Sequence, residues 1–205
     1  MPLELAVVIP VFNESANVAD MVRRVDAALA GRAWEIIFVD DDSPDGTADV
    51  ARAIGRTDPR VRVIQRLDRR GLSTACVEGM CATAAPFAAV IDGDGQHDER
   101  LLPWMLDALQ AEADLDVTIG SRFVEGGGTG EWDKDRVAKS EFATRIARRV
   151  LKADLADPMS GFFMIRTDLL RAIAPRLSAI GFKILLDVMT ASPRPLKFRE
   201  FPYTF

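Results

Sequence analysis

Short apolar runs alternate with amphipathic stripes along the first half of the chain, and this alternation leaves few folds open. Residues 5–9 read Leu-Ala-Val-Val-Ile, a run of strand length. Val18, Met21, Val22, Val25 and Leu29 then keep the spacing of one helical face, which stops at Gly31. The same couple recurs at 35–39 with 47–54, at 61–65 with 71–84, and at 87–91 with 99–111. Four strand–helix units in a row predict an α/β chain with a mostly parallel central sheet and helices on both faces.

Later strands are expected at 116–120, 162–166 and 197–203, with two short helices between the last two. Residues 125–131 are too rich in glycine for a regular element and read as a mobile loop. The helix that follows carries Phe142, Ile146 and Val150 on one face, with Arg136, Lys139, Arg145, Arg148 and Arg149 concentrating positive charge. That basic face is either solvated or leans on anionic lipid headgroups. With no internal repeat and no linker, the 205 residues are expected to form a single domain, 1–205.

Composition narrows the function. At 48% hydrophobic and 28% charged residues the chain can bury a core of its own. A net charge of -5 lacks the basic footprint of a nucleic-acid binder, so no nucleic-acid partner is expected. Cys76 and Cys81, five apart in a helical pattern, point in different directions, which predicts reduced thiols and a cytoplasmic location. No apolar run is long enough to cross a bilayer, so membrane contact is expected to be peripheral.

In open parallel sheets ligands bind at the carboxyl ends of strands, and three such ends are acidic. They are Pro10-Val11-Phe12-Asn13-Glu14, Asp40-Asp41-Asp42-Ser43-Pro44-Asp45-Gly46-Thr47 and Asp92-Gly93-Asp94-Gly95-Gln96-His97-Asp98. None holds a Gly-x-Gly-x-x-Gly or a Walker lysine signature, so dinucleotide and P-loop readings lack their phosphate cradle. Asp92 and Asp94 flank one glycine, which lets two carboxylates converge on a hard cation, and Gln96 would add a neutral oxygen. The plainer reading is a helix N-terminus, with Asp98 as cap and the other two solvating a loop. The Asp40-Asp41-Asp42 cluster either belongs to a helix-capping turn or reads a nucleoside, Asp41 being best suited to accept from a base or ribose. His97 is expected to cap or pack, since no nucleophile system surrounds it.

Together these loops resemble family 2 glycosyltransferases of the A-type (nucleotide-diphospho-sugar transferase) fold, above all dolichyl-phosphate mannose synthases and their bacterial polyprenyl-phosphate relatives. Arg70-Gly71-Leu72-Ser73-Thr74-Ala75, Gly120-Ser121-Arg122-Phe123, Asp157-Pro158-Met159-Ser160-Gly161-Phe162-Phe163 and Gly181-Phe182-Lys183-Ile184-Leu185-Leu186-Asp187 follow in family order. The resemblance implies that Pro10, Phe12, Glu14, Val39 and Asp41 line the nucleoside pocket. It implies that Asp92, Asp94 and Gln96 hold Mg2+ or Mn2+ on the donor diphosphate, that Gly93 lies against the donor, and that Arg122 pairs with an anionic substrate group. Asp94 and Arg122 are the catalytic candidates. The implied reaction inverts the anomeric carbon as mannose passes from GDP-mannose, or another sugar from a UDP-sugar, to a dolichyl or polyprenyl phosphate at the cytoplasmic face of a membrane.

Phe12 stands where many relatives have tyrosine, and Asp187 lies near where other members keep a basic carboxylate, a structural hydrogen-bonding role being the equal alternative. Relatives continue past a strand like the last one here into further substrate-contacting residues, which implies a catalytic domain truncated after 205. The alternatives are a family 2 transferase with a sugar hydroxyl acceptor, a catalytically inactive partner-binding member, and a receiver domain. A processive polysaccharide synthase is disfavoured by the lack of Gln-x-x-Arg-Trp.

Overall fold

A computed structural model describes residues 2–128 and 154–204 of the chain. Its strands are β1 (Leu5–Val11), β2 (Trp34–Asp40), β3 (Val61–Gln65), β4 (Phe87–Val90), β5 (Val117–Ser121), β6 (Phe163–Arg166) and β7 (Phe198–Pro202). The helices among the described residues are α1 (Val18–Ala28), α2 (Thr47–Gly55), α3 (Leu72–Cys81), α4 (Leu102–Ala111), α5 (Thr167–Ile173) and α6 (Ile184–Ala191). The elements expected within the described residues are thus found, with boundaries shifted by a few residues. The helix expected from residue 99 opens with a 3-10 turn, Glu99–Leu101, before Pro103 enters the first turn of α4.

The strands form one sheet in the order β3-β2-β1-β4-β6-β5-β7. β6 runs antiparallel to both of its neighbours, and every other pairing is parallel. Strand residues alternate between two cores, as a period of two requires. Leu5, Val7, Ile9 and Val11 of β1 meet α1, α2 and α4 on one face, while Ala6 and Val8 meet α3, α5 and α6 on the other. Burial on both faces explains why β1 and β2 read as continuous apolar runs.

The chain runs outward from β1 to β2 and β3, then returns to place β4 on the other side of β1. That reversal is the switch point at which open α/β sheets bind ligands. The last β1–β4 pair is Val8 with Val90, and Pro10, which cannot donate to a ladder, lies just beyond it. There the two strands part and their loops diverge.

Cys76 is buried and Cys81 exposed, and both are free thiols. Residues 125–128 of the glycine-rich loop are described: Gly128 bridges Thr204, and its N–H donates to the Tyr203 carbonyl at 3.0 Å. The rest of the expected mobile loop, and the helix of Phe142, Ile146 and Val150 with its cations Arg136, Lys139, Arg145, Arg148 and Arg149, lie outside the described residues. No helix among the described residues is long and apolar enough to cross a membrane.

Candidate functional site

A cleft of about 560 Å³ opens where β1 and β4 part. Pro10, Phe12 and Glu14 line it from the end of β1, Asp41 from β2, and Asp92, Gly93 and Asp94 from β4, with Arg70, Gly71, Leu72 and Phe182 opposite. Residues distant in sequence meet here because the loops are sewn together by backbone donors. The N–H groups of Asn13, Glu14 and Ser15 donate to Ser43 Oγ at 2.9 Å, Thr47 Oγ1 at 2.9 Å and Asp45 Oδ2 at 3.0 Å. The Asp45 carboxyl is held down to about 2, first by the Thr47 hydroxyl and then by the Ser15 N–H, so it remains a charged tie at any ordinary pH.

The three consecutive aspartates have three separate environments. Asp40 is fully buried and accepts from the Ser43 N–H, closing the turn. Asp42 faces Gln65, whose amide donates to it at 2.9 Å. Of the three only Asp41 lines the cleft. Its Oδ1 accepts from Arg66 Nη1 at 2.9 Å and its Oδ2 from the Gly71 N–H at 2.6 Å, so the carboxyl is braced and has lone pairs left for a ligand. Arg66 is itself 2% exposed, and nothing in the sequence marked it as the partner. Arg70 lays its guanidinium over the Phe12 ring at 4.4 Å, an aromatic face that needs no tyrosine hydroxyl.

On the β4 side Asp92 and Asp94 crowd together. Burial first, and the Asp94 charge next, push the Asp92 carboxyl up to about 6, while Arg122 pulls the other way. His97 sets the orientation of that carboxylate. Its Nδ1 accepts the Asp92 N–H at 3.0 Å, so the ring proton sits on Nε2, which faces Asp92 Oδ2 at 3.5 Å. Burial holds the imidazole down to about 4 and hence neutral, and the ring stacks on Phe162 at 5.3 Å. His97 therefore packs, as its sequence context predicts, and also steers a site residue.

Gly161 leaves room here: a Cβ on it would come within 3.3 Å of Asp92 Oδ1 and 3.4 Å of His97 Cε1, so the carboxylate and the ring would each have to give by a few tenths of an ångström. The space a Cβ would need at Gly93 is taken by Val11, 2.8 Å away, so that glycine answers to β1 packing as well as to any ligand.

Gln96 is not brought to Asp92 and Asp94. It is exposed in a neighbouring hollow with Arg24 and Arg100, and only its N–H reaches the pair, donating to Asp94 Oδ1 at 3.0 Å. The expected trio is thus a carboxylate pair, and no group of three or more His, Cys, Asp or Glu able to hold a metal occurs among the described residues. Two hard carboxylates whose mutual repulsion already raises one pKa still fit Mg2+ or Mn2+, since such ions take one or two carboxylates and fill the remaining positions with phosphate oxygen and water.

Three further expectations fare differently. Val39 is fully buried in the core beneath α3 and does not line the cleft, because the period of β2 turns its side chain inward. Arg122 is neither a surface ion pair nor a lining residue. It is 8% exposed and grips the fully buried Asp157 through Nε at 2.7 Å and Nη2 at 2.9 Å. Burial opposes its charge, but the hydrogen bonds and charge of Asp157 outweigh it and leave the pKa raised. Asp187 accepts from the Ser178 N–H at 3.2 Å and the Ala179 N–H at 2.7 Å, so it anchors the loop bearing Phe182 and does not line the cleft.

Comparison with solved structures gives glucosyl-3-phosphoglycerate synthase from Mycobacterium tuberculosis, in complex with Mn2+, UDP and glucosyl-3-phosphoglycerate, at a TM-score of 0.73 and 19% identity over 99% of this chain and 70% of that one. The fold is therefore the glycosyltransferase A-type. Among curated proteins, the dolichol-phosphate mannosyltransferase of Pyrococcus furiosus is 36% identical over 99% of this chain, and that of Saccharomyces cerevisiae is 32% identical over all of it. The polyprenol monophosphomannose synthase of Mycolicibacterium smegmatis is 35% identical over 86%. The chain spans 56% of the length of the Pyrococcus relative, 78% of the yeast one and 66% of the mycobacterial one. The model of "Glycosyl transferase family 2" matches residues 6–174, and with these relatives it establishes that the chain belongs to that family.

Proposed function

We propose that this chain is the catalytic domain of an inverting glycosyltransferase that moves mannose from GDP-mannose to a dolichyl or polyprenyl phosphate. The observation that carries the reading is the convergence of Asp41, Phe12 and Glu14 with Asp92 and Asp94 in one cleft at the sheet's switch point. The first group suits a nucleoside and the second a diphosphate with its cation. Relatives named as mannosyltransferases of dolichol and polyprenol phosphates favour that sugar and that acceptor class.

Asp41 accepts from the base or ribose, and Phe12 with Arg70 offers a flat wall. Asp92 and Asp94 would hold Mg2+ or Mn2+, which neutralises charge developing on the leaving nucleoside diphosphate. His97 and Gly161 keep the Asp92 carboxylate aimed into the cleft. Arg122, held by Asp157 behind Asp92, contributes positive potential to an otherwise acidic floor.

The acceptor phosphate is anionic at neutral pH and attacks without a general base, whereas a sugar hydroxyl would require one. Asp187, which the sequence leaves between a base and a structural hydrogen-bonding role, is committed to Ser178 and Ala179, which favours the phosphate acceptor. Phe182, 79% exposed, lines the cleft, and Ile180, 82% exposed and two residues before it in the same loop, would extend that apolar face toward a hydrocarbon tail. The domain then works peripherally at the cytoplasmic face of a membrane.

Incubation with Mn2+, radiolabelled GDP-mannose and undecaprenyl phosphate tests this. Mannolipid should form, and Asp94→Asn should lower turnover about 100-fold or more with little change in melting temperature. No transfer from GDP-mannose or UDP-sugars, or equal turnover by the variant, would refute it.

A further inference from the structure

Arg24 sits on α1, outside the cleft, yet its guanidinium is committed to the loop that follows Asp92 and Asp94. Nε donates to Glu99 Oε1 at 2.8 Å and Nη2 to Glu99 Oε2 at 2.6 Å, a fork on a carboxylate whose residue is only 7% exposed. Nη1 donates to the Gly95 carbonyl at 3.0 Å, and Nη2 reaches toward the His97 carbonyl at 3.4 Å. One side chain thus touches the loop at 95, 97 and 99.

The approach is as close as the backbone allows. Gly95 has φ of 75°, in the region that favours glycine, and a Cβ there would lie 2.6 Å from Arg24 Nη1. The base of the clamp is rigid, because Met21 and Val25 anchor α1 in the core on either side of Arg24.

Within the loop, the Gln96 N–H holds Asp94 and the His97 ring holds the Asp92 backbone. Those bonds tie each aspartate to the loop but leave the loop's seat on the rest of the chain to other contacts. We infer that Arg24 is a positioning residue for the Asp92–Asp94 pair, seating the loop through the Gly95 and His97 carbonyls and the Glu99 carboxylate so that both site carboxylates are aligned before a cation arrives. This rests on the reading of Asp92 and Asp94 as the metal pair. Arg24 itself touches neither cation nor substrate, and a lysine, lacking the planar fork, cannot reproduce the set of contacts.

Supporting groups of this kind change metal affinity by about 10- to 100-fold when lost. Arg24→Met should therefore weaken Mn2+ binding to the 205-residue chain with GDP present by about tenfold or more, measured by electron paramagnetic resonance of free Mn2+. GDP binding without metal, which depends on Asp41 and Phe12, should stay within about twofold. Arg24→Lys should fall between wild type and Arg24→Met.

Mn2+ affinity unchanged in Arg24→Met, or an equal loss of metal-free and metal-dependent GDP binding, would overturn the inference. If Arg24→Met does not fold, Glu99→Gln carries the same comparison, since it removes the charge that the fork grips while keeping the side chain's size. Absence of Mn2+ binding in the wild type would instead refute the metal pair, and the inference with it.

Discussion

Replacing Asp157 with asparagine tests the floor of the site most directly. Asp157 is fully buried, and Arg122, 8% exposed, gives it two guanidinium bonds and a backbone N–H at 3.2 Å. The amide keeps the shape but not the charge, and its NH2 can only oppose a guanidinium donor. An uncompensated buried charge of this kind costs about 3–5 kcal/mol. In a domain of this size each kcal/mol shifts the melting temperature by about 2–4 °C, so calorimetry should record a fall of about 10 °C.

The double variant Arg122→Met, Asp157→Leu should recover most of that loss, because an apolar pair needs no desolvated charge. Turnover should stay depressed about 100-fold in the double variant, since the positive potential behind Asp92 is gone. A fall below about 2 °C for Asp157→Asn, or a double variant no more stable than the single one, would refute the assignment of a buried, mutually dependent pair.

Asp41→Asn should weaken metal-free GDP binding about tenfold or more and leave Mn2+ affinity alone; calorimetric titration showing loss of only the metal-dependent part would mean that Asp41 does not read the nucleoside. Acid stability should depend on two opposed groups. His97, held below its ordinary 6.5 to about 4, is protonated more readily in the unfolded chain, so its contribution is lost as pH falls through that window. Asp92, raised from 3.8 to about 6, is protonated more readily in the folded chain and offsets that loss. Asp92→Asn should therefore lose stability more steeply than wild type between pH 6.5 and 4 in urea melts, and a parallel pH profile would count against the two shifts. Ile180→Ser, at an 82% exposed position, should raise the KM for undecaprenyl phosphate without altering the melting temperature or the KM for GDP-mannose. Burial of such a side chain is worth about 1.5–3 kcal/mol, or roughly tenfold or more, and an unchanged acceptor KM would remove Ile180 from the lipid path.

The fold was legible because its main signal is local. β1 and β2 are buried on both faces and appear as unbroken apolar runs, and α1 shows Val18, Met21 and Val25 at helical spacing because only one stripe meets the core. The antiparallel insertion of β6 between β4 and β5 was not legible, since Phe163–Arg166 carries no local mark of the strand it will pair with. The burial of Val39 under α3 was not legible either, since β2 is buried on both faces and its period assigns neither face to the cleft.

For the site, sequence exposes the residues that line the cleft more readily than those that hold them. Asp92-Gly93-Asp94 is conspicuous because two acids flank one glycine at a strand end, whereas Arg66 and Arg24 are ordinary charges until the chain folds, and Asp157 is marked only by the stretch it opens and not by its partner. Their partners lie 25, 35 and 75 positions away, so no short spacing links them. Yet each is buried or fully engaged, and each lies against one cleft carboxylate or its loop: Arg66 braces Asp41, the Asp157–Arg122 pair lies behind Asp92, and Arg24 bonds the turn after Asp94. Acidic residues gathered in one cleft repel one another, and cations fixed behind them offset part of that repulsion. In a chain of net charge -5 the buried Arg66 and Arg122 both lie against the acids of the cleft, Arg66 bonded to Asp41 and Arg122 lowering the pKa of Asp92.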